Sequence, residues 1–265
     1  MASSAIPSIG LIGAGRLATV LAKHLIASNI PINWIYSRGG ASAKLLANEL
    51  EIHISESIED IASAADIIFI AVNDDSIEGV ASELRAQNST ALLLHCSGST
   101  SIQALGSKMQ RSGIFYPLQS FSKDQAPDFA SIPICIDAND NKDLEILISI
   151  ANQLNCKHYR LDDDARLHVH LAAVFANNFS NALFAISKEI LDKNNLPFDI
   201  LRPLIEETAR KIKSQEPLSA QTGPALRGDI EVINRHLQLL ESDPNWASIY
   251  REMSQIINPE LNIPK

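Results

Sequence analysis

A glycine-spaced turn, Gly13-Ala14-Gly15-Arg16-Leu17-Ala18, closes an apolar run and opens an apolar-periodic stretch carrying Leu17, Val20, Leu21 and Leu25. The pattern is G-x-G-x-x-A, and a strand–turn–helix context is what turns it from a common coincidence into a nucleotide-binding signature. Gly13 permits the tight turn. Gly15 lets the backbone approach a pyrophosphate resting on the positive end of the helix. Ala18, as small as the usual third glycine, allows close helix–strand packing. The alternative is a glycine-rich turn in an α/β sheet that holds no ligand.

The rest of the chain agrees with that turn. Strand-like runs at residues 8–12, 32–36, 52–54, 66–72, 91–95, 113–116 and 132–136 are interleaved with helical patterns at 16–27, 41–50 and 144–154. Residues 66–72 read Asp-Ile-Ile-Phe-Ile-Ala-Val, the near-continuous apolar run of a strand buried on both faces. Such alternation means βαβ units and a mostly parallel sheet, an α/β Rossmann-type domain. From Asp162 onward no strand pattern recurs. Asp162 to Asp164 supply a cap and favourable charge for a long helix from 165 to about 193, stopped at Asn194-Asn195-Leu196-Pro197. Helices at about 198–213, 229–240 and 245–257 follow, with a loop at 214–227. The expected division is a nucleotide-binding domain at 1–160 and an all-helical substrate and dimerisation domain at 161–265. The long helix carries apolar residues around much of its circumference, so a homodimer through the C-terminal helices is expected.

Composition sets limits. With 22 basic against 31 acidic side chains, the net charge of −9 argues against a nucleic-acid partner. Three cysteines, Cys96, Cys135 and Cys156, provide neither a disulfide framework nor the spacing of a zinc site, so no metal is expected. The first twelve residues lack a basic region and are broken by Pro7 and Gly10, unlike a signal peptide. No uninterrupted apolar run approaches the roughly 18–20 residues that span a bilayer. The expectation is a cytoplasmic protein with a small-molecule substrate and no membrane partner.

The second strand selects the cofactor. An NAD site places Asp or Glu about 20 residues past the glycines, on the ribose hydroxyls. Here the strand ends Tyr36-Ser37-Arg38. Ser37 and Arg38 suit a phosphate through charge-assisted contacts, which points to NADP.

Fingerprint, Ser-Arg ending and helical C-terminal half together resemble the superfamily of 6-phosphogluconate dehydrogenase, 3-hydroxyisobutyrate dehydrogenase, pyrroline-5-carboxylate reductase and ketopantoate reductase. Four further motifs sharpen the likeness: His95-Cys96-Ser97-Gly98, residues 116–121 (Tyr-Pro-Leu-Gln-Ser-Phe), residues 168–178, and residues 223–229 (Gly-Pro-Ala-Leu-Arg-Gly-Asp). With these the chain resembles a bacterial family of Rossmann-like NADP oxidoreductases ending in a domain of unknown function. The resemblance implies a helical, 6-phosphogluconate dehydrogenase-like C-terminal domain that builds a dimer. It also implies an active site between the domains and a cofactor lined by Val72 and Asn73. One departure matters. The hydroxyacid dehydrogenases carry a catalytic Lys three residues before an Asn-Asn pair; Asn177-Asn178 fits the pair, but Val174 stands at the Lys position. Pyrroline-5-carboxylate reductase also lacks that Lys, because its imine substrate can arrive protonated.

Several polar residues are therefore candidates for the chemistry. His95 ends a strand on the ligand side of the sheet, with Ser97 close enough in sequence to meet the cofactor, or it anchors the following loop. His168 and His170 are two apart and diverge on a helix, so they do not form a metal pair. His170, Asn177, Asn178 and Asn181 share one face at regular α-helical spacing, a polar stripe that needs partners. Tyr116, Gln119 and Ser120 flank Pro117 and suit a substrate's polar end, or simply a turn. Asp74-Asp75 fit a helix start; Arg227 and Asp229 fit a capping contact, or Arg227 a substrate carboxylate. The expectation is an NADPH-dependent oxidoreductase acting on a small keto acid or cyclic imine, with His95, His170 and Asn178 at the chemistry. The alternatives are a non-catalytic NADP sensor or scaffold, and a deazaflavin-linked NADP reductase.

Overall fold

A computed structural model describes residues 7–121 and 128–263; the first six residues of the N-terminal segment read above lie outside the described part. The chain forms two compact units, residues 1–178 and 179–265.

The first unit holds β1 (Ile9–Ile12), α1 (Arg16–Ala27), β2 (Trp34–Tyr36), α2 (Ala41–Leu50), β3 (His53–Ile54), α3 (Ile58–Ala64), β4 (Ile67–Ile70) and α4 (Asp74–Ala86). It continues with β5 (Leu92–His95), β6 (Ser112–Pro117), β7 (Ile134–Ala138), α5 (Asn141–Gln153), β8 (His158–Arg160) and α6 (Asp163–Ala173). The strands form one sheet in the order β3-β2-β1-β4-β5-β6-β7-β8. Every neighbouring pair is parallel except β6 with β7, which runs antiparallel. The order reverses between β1 and β4, and in open sheets of this kind the crevice at the reversal is the ligand site.

The apolar run in β4 has a direct explanation. Ile67 and Phe69 enter the core cluster that includes Leu21 and Leu25 of α1 and Leu46 of α2. Ile68 and Ile70 enter the opposite cluster, with Ile61 of α3 and Ile77 and Leu84 of α4. Both faces are covered, so no polar alternation survives. Truncating fully buried Phe69 to Ala would remove about 3–5 kcal/mol of stability. The sheet matches the expected α/β class. Helix α3 and strand β8 add to the expected pattern. Both are short, and β8 carries His158, Tyr159 and Arg160, which give no apolar alternation.

Asp162 caps α6 by accepting from the Ala165 amide at 2.9 Å. The helix then runs without a break through a π-helical turn, Val174–Phe179, into α7 (Ser180–Lys193). The sheet ends at Arg160, beside the expected boundary at Leu161, while the first compact unit extends to Asn178, inside that turn. The continuous helix Asp163–Lys193 spans 31 residues and is long and apolar enough to cross a membrane by length and composition. No uninterrupted apolar run marks this helix in the sequence, because His170, Asn177, Asn178 and Asn181 break the run without lowering its average much.

The second unit continues with α8 (Arg202–Lys211), entered through a tight turn at Phe198–Leu201, then α9 (Pro217–Ala220), α10 (Pro224–Arg227), α11 (Ile230–Leu239) and α12 (Pro244–Ile257). The stretch 214–227, expected to be loop, contains two one-turn helices. Pro217 and Pro224 start them rather than prevent them, since the first helical position needs no amide donor. Asp229 caps α11, accepting from the Val232 amide at 3.3 Å. Ile233, Leu237, Leu240 and Ala247 form this unit's own core.

Candidate active site

The carboxyl ends of β1, β2 and β4 carry the residues expected to hold a nucleotide. Gly13 has φ +115°, and an added Cβ would lie 2.2 Å from the Ala71 carbonyl oxygen, so only glycine fits there. Its amide donates to the Tyr36 carbonyl at 2.8 Å, tying the turn to the end of β2. Gly15 differs: an added Cβ would meet nothing within 4 Å. The chain's own packing does not demand glycine at that position. The open space lies at the N-terminus of α1, where Gly15 serves as a cap with no side chain and free amides favour an anion. A pyrophosphate fits that opening. Ala14 is buried, Arg16 exposed and Leu17 half-buried around it. Ser37 and exposed Arg38 follow β2 directly, and Val72 and Asn73 follow β4. The Asn73 side chain makes no capping bond to α4, which leaves its amide free for a ligand.

The loop after β5 is tied down at every step. The His95 side chain is fully buried, and its Nδ1 accepts from the Ser97 amide at 3.1 Å. Burial above all, with Arg166 adding like charge, lowers the His95 pKa to about 4; the Ser101 backbone and the carboxylates of Asp163 and Asp74 pull the other way and lose. His95 is therefore a neutral ring at physiological pH, and the geometry matches the loop-anchoring alternative rather than a proton donor. The Ser97 hydroxyl donates to Asp74 Oδ2 at 2.8 Å and accepts from the amides of Ser99 and Thr100. Asp74 also accepts from the Ser99 hydroxyl at 2.7 Å. Asp163 accepts from the Ser101 hydroxyl and the Ile102 amide. Buried Arg166 binds Asp163 at 2.8 Å and the Thr100 carbonyl. Its Nε and Nη1 have no hydrogen-bond partner.

Beside this loop lies a cavity of 270 Å³ within the first unit, lined among others by Tyr116, Gln119, Ser120, His170, Asn177 and Asn178. Tyr116 stands near the end of β6, next to β5 and on the same carboxyl edge as the nucleotide residues. Its hydroxyl meets His170 Nδ1 at 3.1 Å. Exposed Gln119 folds back on its own loop, its Oε1 accepting from the Ser120 amide at 2.8 Å. The sequence singled out Tyr116 and His170 separately; their pairing, across 54 positions, carries no local signal. The polar stripe requires a correction. His170, Asn177 and Asn178 do line one cavity, but not through regular α-helical spacing. The π turn adds a residue to the turn and resets the face on which Asn177 and Asn178 stand. Asn181 is not among the residues lining it. His168 is turned away, with Nδ1 on the Asp164 carbonyl at 2.8 Å.

The switch-point crevice, glycine turn and neighbouring polar cavity define a Rossmann-type nucleotide-dependent oxidoreductase. Residues 8–97 match the family described as NADP oxidoreductase, coenzyme F420-dependent, and residues 132–257 match a domain of unknown function, DUF2520. Similar over nearly all its length is a provisionally described NADP oxidoreductase from Bacteroides fragilis. It is 38% identical with a TM-score of 0.85, over 96% of this chain and 98% of that one. The chain belongs to this family of NADP oxidoreductases. An imine reductase from Myxococcus stipitatus in complex with NADP+ shares the fold at 19% identity and TM-score 0.68, over 96% and 93% of the two chains. So does a Plasmodium falciparum pyrroline carboxylate reductase with NADP bound, at 14% identity and TM-score 0.61, over 95% and 99%. Comparison with curated proteins gives no match.

Proposed function

We propose that this chain is an NADPH-dependent reductase that adds hydride to a small cyclic imine or keto acid held in the cavity beside the β5 loop. The observation that carries the reading is the position of that 270 Å³ polar cavity, on the same sheet edge as the glycine turn and built into the same unit. Its size suits a small substrate rather than a polymer. Val174 at the position of the dehydrogenase Lys favours the imine, which needs less proton donation than a ketone. The names of the imine and pyrroline carboxylate reductases support the same order.

Bound NADPH supplies the hydride. The backbone of Gly13, Ala14, Gly15, Arg16 and Leu17 holds the pyrophosphate. Ser37 and Arg38 hold the 2′-phosphate, and Val72 and Asn73 line the nicotinamide half. Ser97 acts through the loop it knots together. His170 and Asn178 orient the substrate. His95 holds the loop as a neutral ring and so acts as a positioning residue. The working form is a cytoplasmic homodimer joined through the C-terminal helices. None of the most apolar 18-residue stretch of the long helix is buried within one chain, and a second copy would cover it.

The test is NADPH oxidation against cyclic imines, 2-keto acids and the oxidised deazaflavin F420. Turnover on an imine or keto acid supports the reading. Turnover on the deazaflavin alone would replace the substrate class. Tight NADPH binding with no turnover at all would make the protein a sensor.

A further inference from the structure

Tyr116 of β6 and His170 of α6 meet at the cavity. The hydroxyl of Tyr116 sits 3.1 Å from His170 Nδ1, the rings stand edge-on at 6.1 Å, and both side chains line the cavity. Gly98 is the third member. An added Cβ there would lie 2.6 Å from His170 Nδ1 and 2.8 Å from Tyr116 Cζ. The β5 loop thus passes directly against the couple, and only a residue without a side chain leaves the two rings in contact. Arg166, four residues before His170 on the same face of α6, is fully buried with two guanidinium nitrogens unpaired.

We infer that Tyr116 is the proton donor of the reaction, with His170 as the group that reloads it; this rests on the reductase reading above. When hydride reaches the substrate carbon, the π pair of the C=N or C=O bond moves to the heteroatom. That atom takes the proton from Tyr116 Oη, and the O–H bond breaks to leave a phenolate. His170 in the tautomer protonated at Nδ1 gains a proton from solvent at Nε2 and passes its Nδ1 proton to the phenolate. The phenol is restored, the imidazole is again neutral, and its tautomers exchange through water.

The environment suits the part. Burial foremost, with Cys135 and Asp74 adding to it, pushes the Tyr116 hydroxyl up to about 12, while Arg166 opposes. The group is thus fully protonated before each turnover. The alkoxide or amide anion that hydride addition would otherwise leave is a far stronger base than a phenolate, so transfer runs downhill. The Arg166 guanidinium favours the phenolate once formed. His95 cannot take this part, being buried and holding the loop amide with the nitrogen that faces it.

Two readouts test the couple. Nitrogen NMR of the His170 ring in nucleotide-free protein reports its hydrogen bond directly. The Nδ1 resonance should shift in Tyr116→Phe and in Gly98→Ala, the second separating the rings while leaving both in place. With a keto acid that the wild type reduces, Tyr116→Phe should lower kcat by about 100-fold, within the usual span for general acids, with KM and NADPH affinity unchanged; with an imine, which can arrive protonated, the loss should be smaller and grow as pH rises. His170→Gln should lower kcat less, because solvent can reload the phenolate slowly. An unmoved His170 resonance, or wild-type kcat in Tyr116→Phe, overturns the proposal while leaving the reductase reading intact. A wild type that binds NADPH and reduces nothing overturns both. Thermal unfolding of each variant separates lost chemistry from lost fold.

Discussion

Burial decides which histidine can work. His95 and His170 look alike in sequence, each beside candidate site residues, yet one is sealed in the sheet and the other opens on a cavity. The sealed ring gives a prediction with a definite sign. Its folded pKa, about 4, lies below the 6.5 of the unfolded chain, so the unfolded chain binds that proton more readily. The His95 contribution is intact above pH 6.5 and declines as pH falls toward 4. The loss is on the order of 3 kcal/mol from this group alone. His95→Asn keeps an acceptor for the Ser97 amide and does not titrate. Chemical denaturation of that variant across this window should show a shallower pH slope than the wild type; an identical slope would remove His95 from the account. Arg38 carries a second prediction. Arg38→Asp should weaken NADPH binding by about tenfold or more relative to NADH, the loss of one or two charge-assisted bonds. Titration by fluorescence reads the ratio directly. The reading of Arg38 follows from its place in sequence just after β2, whereas the burial that sets the part of His95 carries no local signal. The Tyr116–His170 contact was not legible either, since β6 and α6 meet only through the tertiary fold.

At the scale of elements, periodicity carried most of the sheet. β4 and β5 read as buried strands because helices cover both faces, and the glycine turn placed β1 and α1 against each other. Periodicity failed where one element changes its own period. The π turn Val174–Phe179 contains no glycine or proline to announce it, and a regular helix drawn through it puts Asn178 on the wrong bearing. Such turns persist where function offsets their poorer hydrogen bonding. Deleting Ala176, which lines the cavity, would restore regular α-helix and take away the widened turn that presents Asn177 and Asn178. Circular dichroism and NADPH affinity should barely change, whereas substrate turnover should vanish. Full turnover in the deletion variant would show that the turn has no part in the site.

For the whole molecule, net charge and cysteine count narrowed the class but not the assembly. The second unit exposes Ile200 at 60% and Leu204 at 63%, on the segment leading into α8 and on α8 itself. Leu204→Asp should convert a dimer into a monomer in sedimentation equilibrium; a wild type that sediments as one chain contradicts the proposed assembly. If a nucleotide-binding sheet and a polar cavity on its carboxyl edge make one reductase, the wild-type protein should oxidise NADPH in the presence of small cyclic imines or 2-keto acids. Turnover should be saturable on at least one of them, and faster with NADPH than with NADH. Tight binding of NADPH with no oxidation above the substrate-free rate on any of them would contradict the reductase reading.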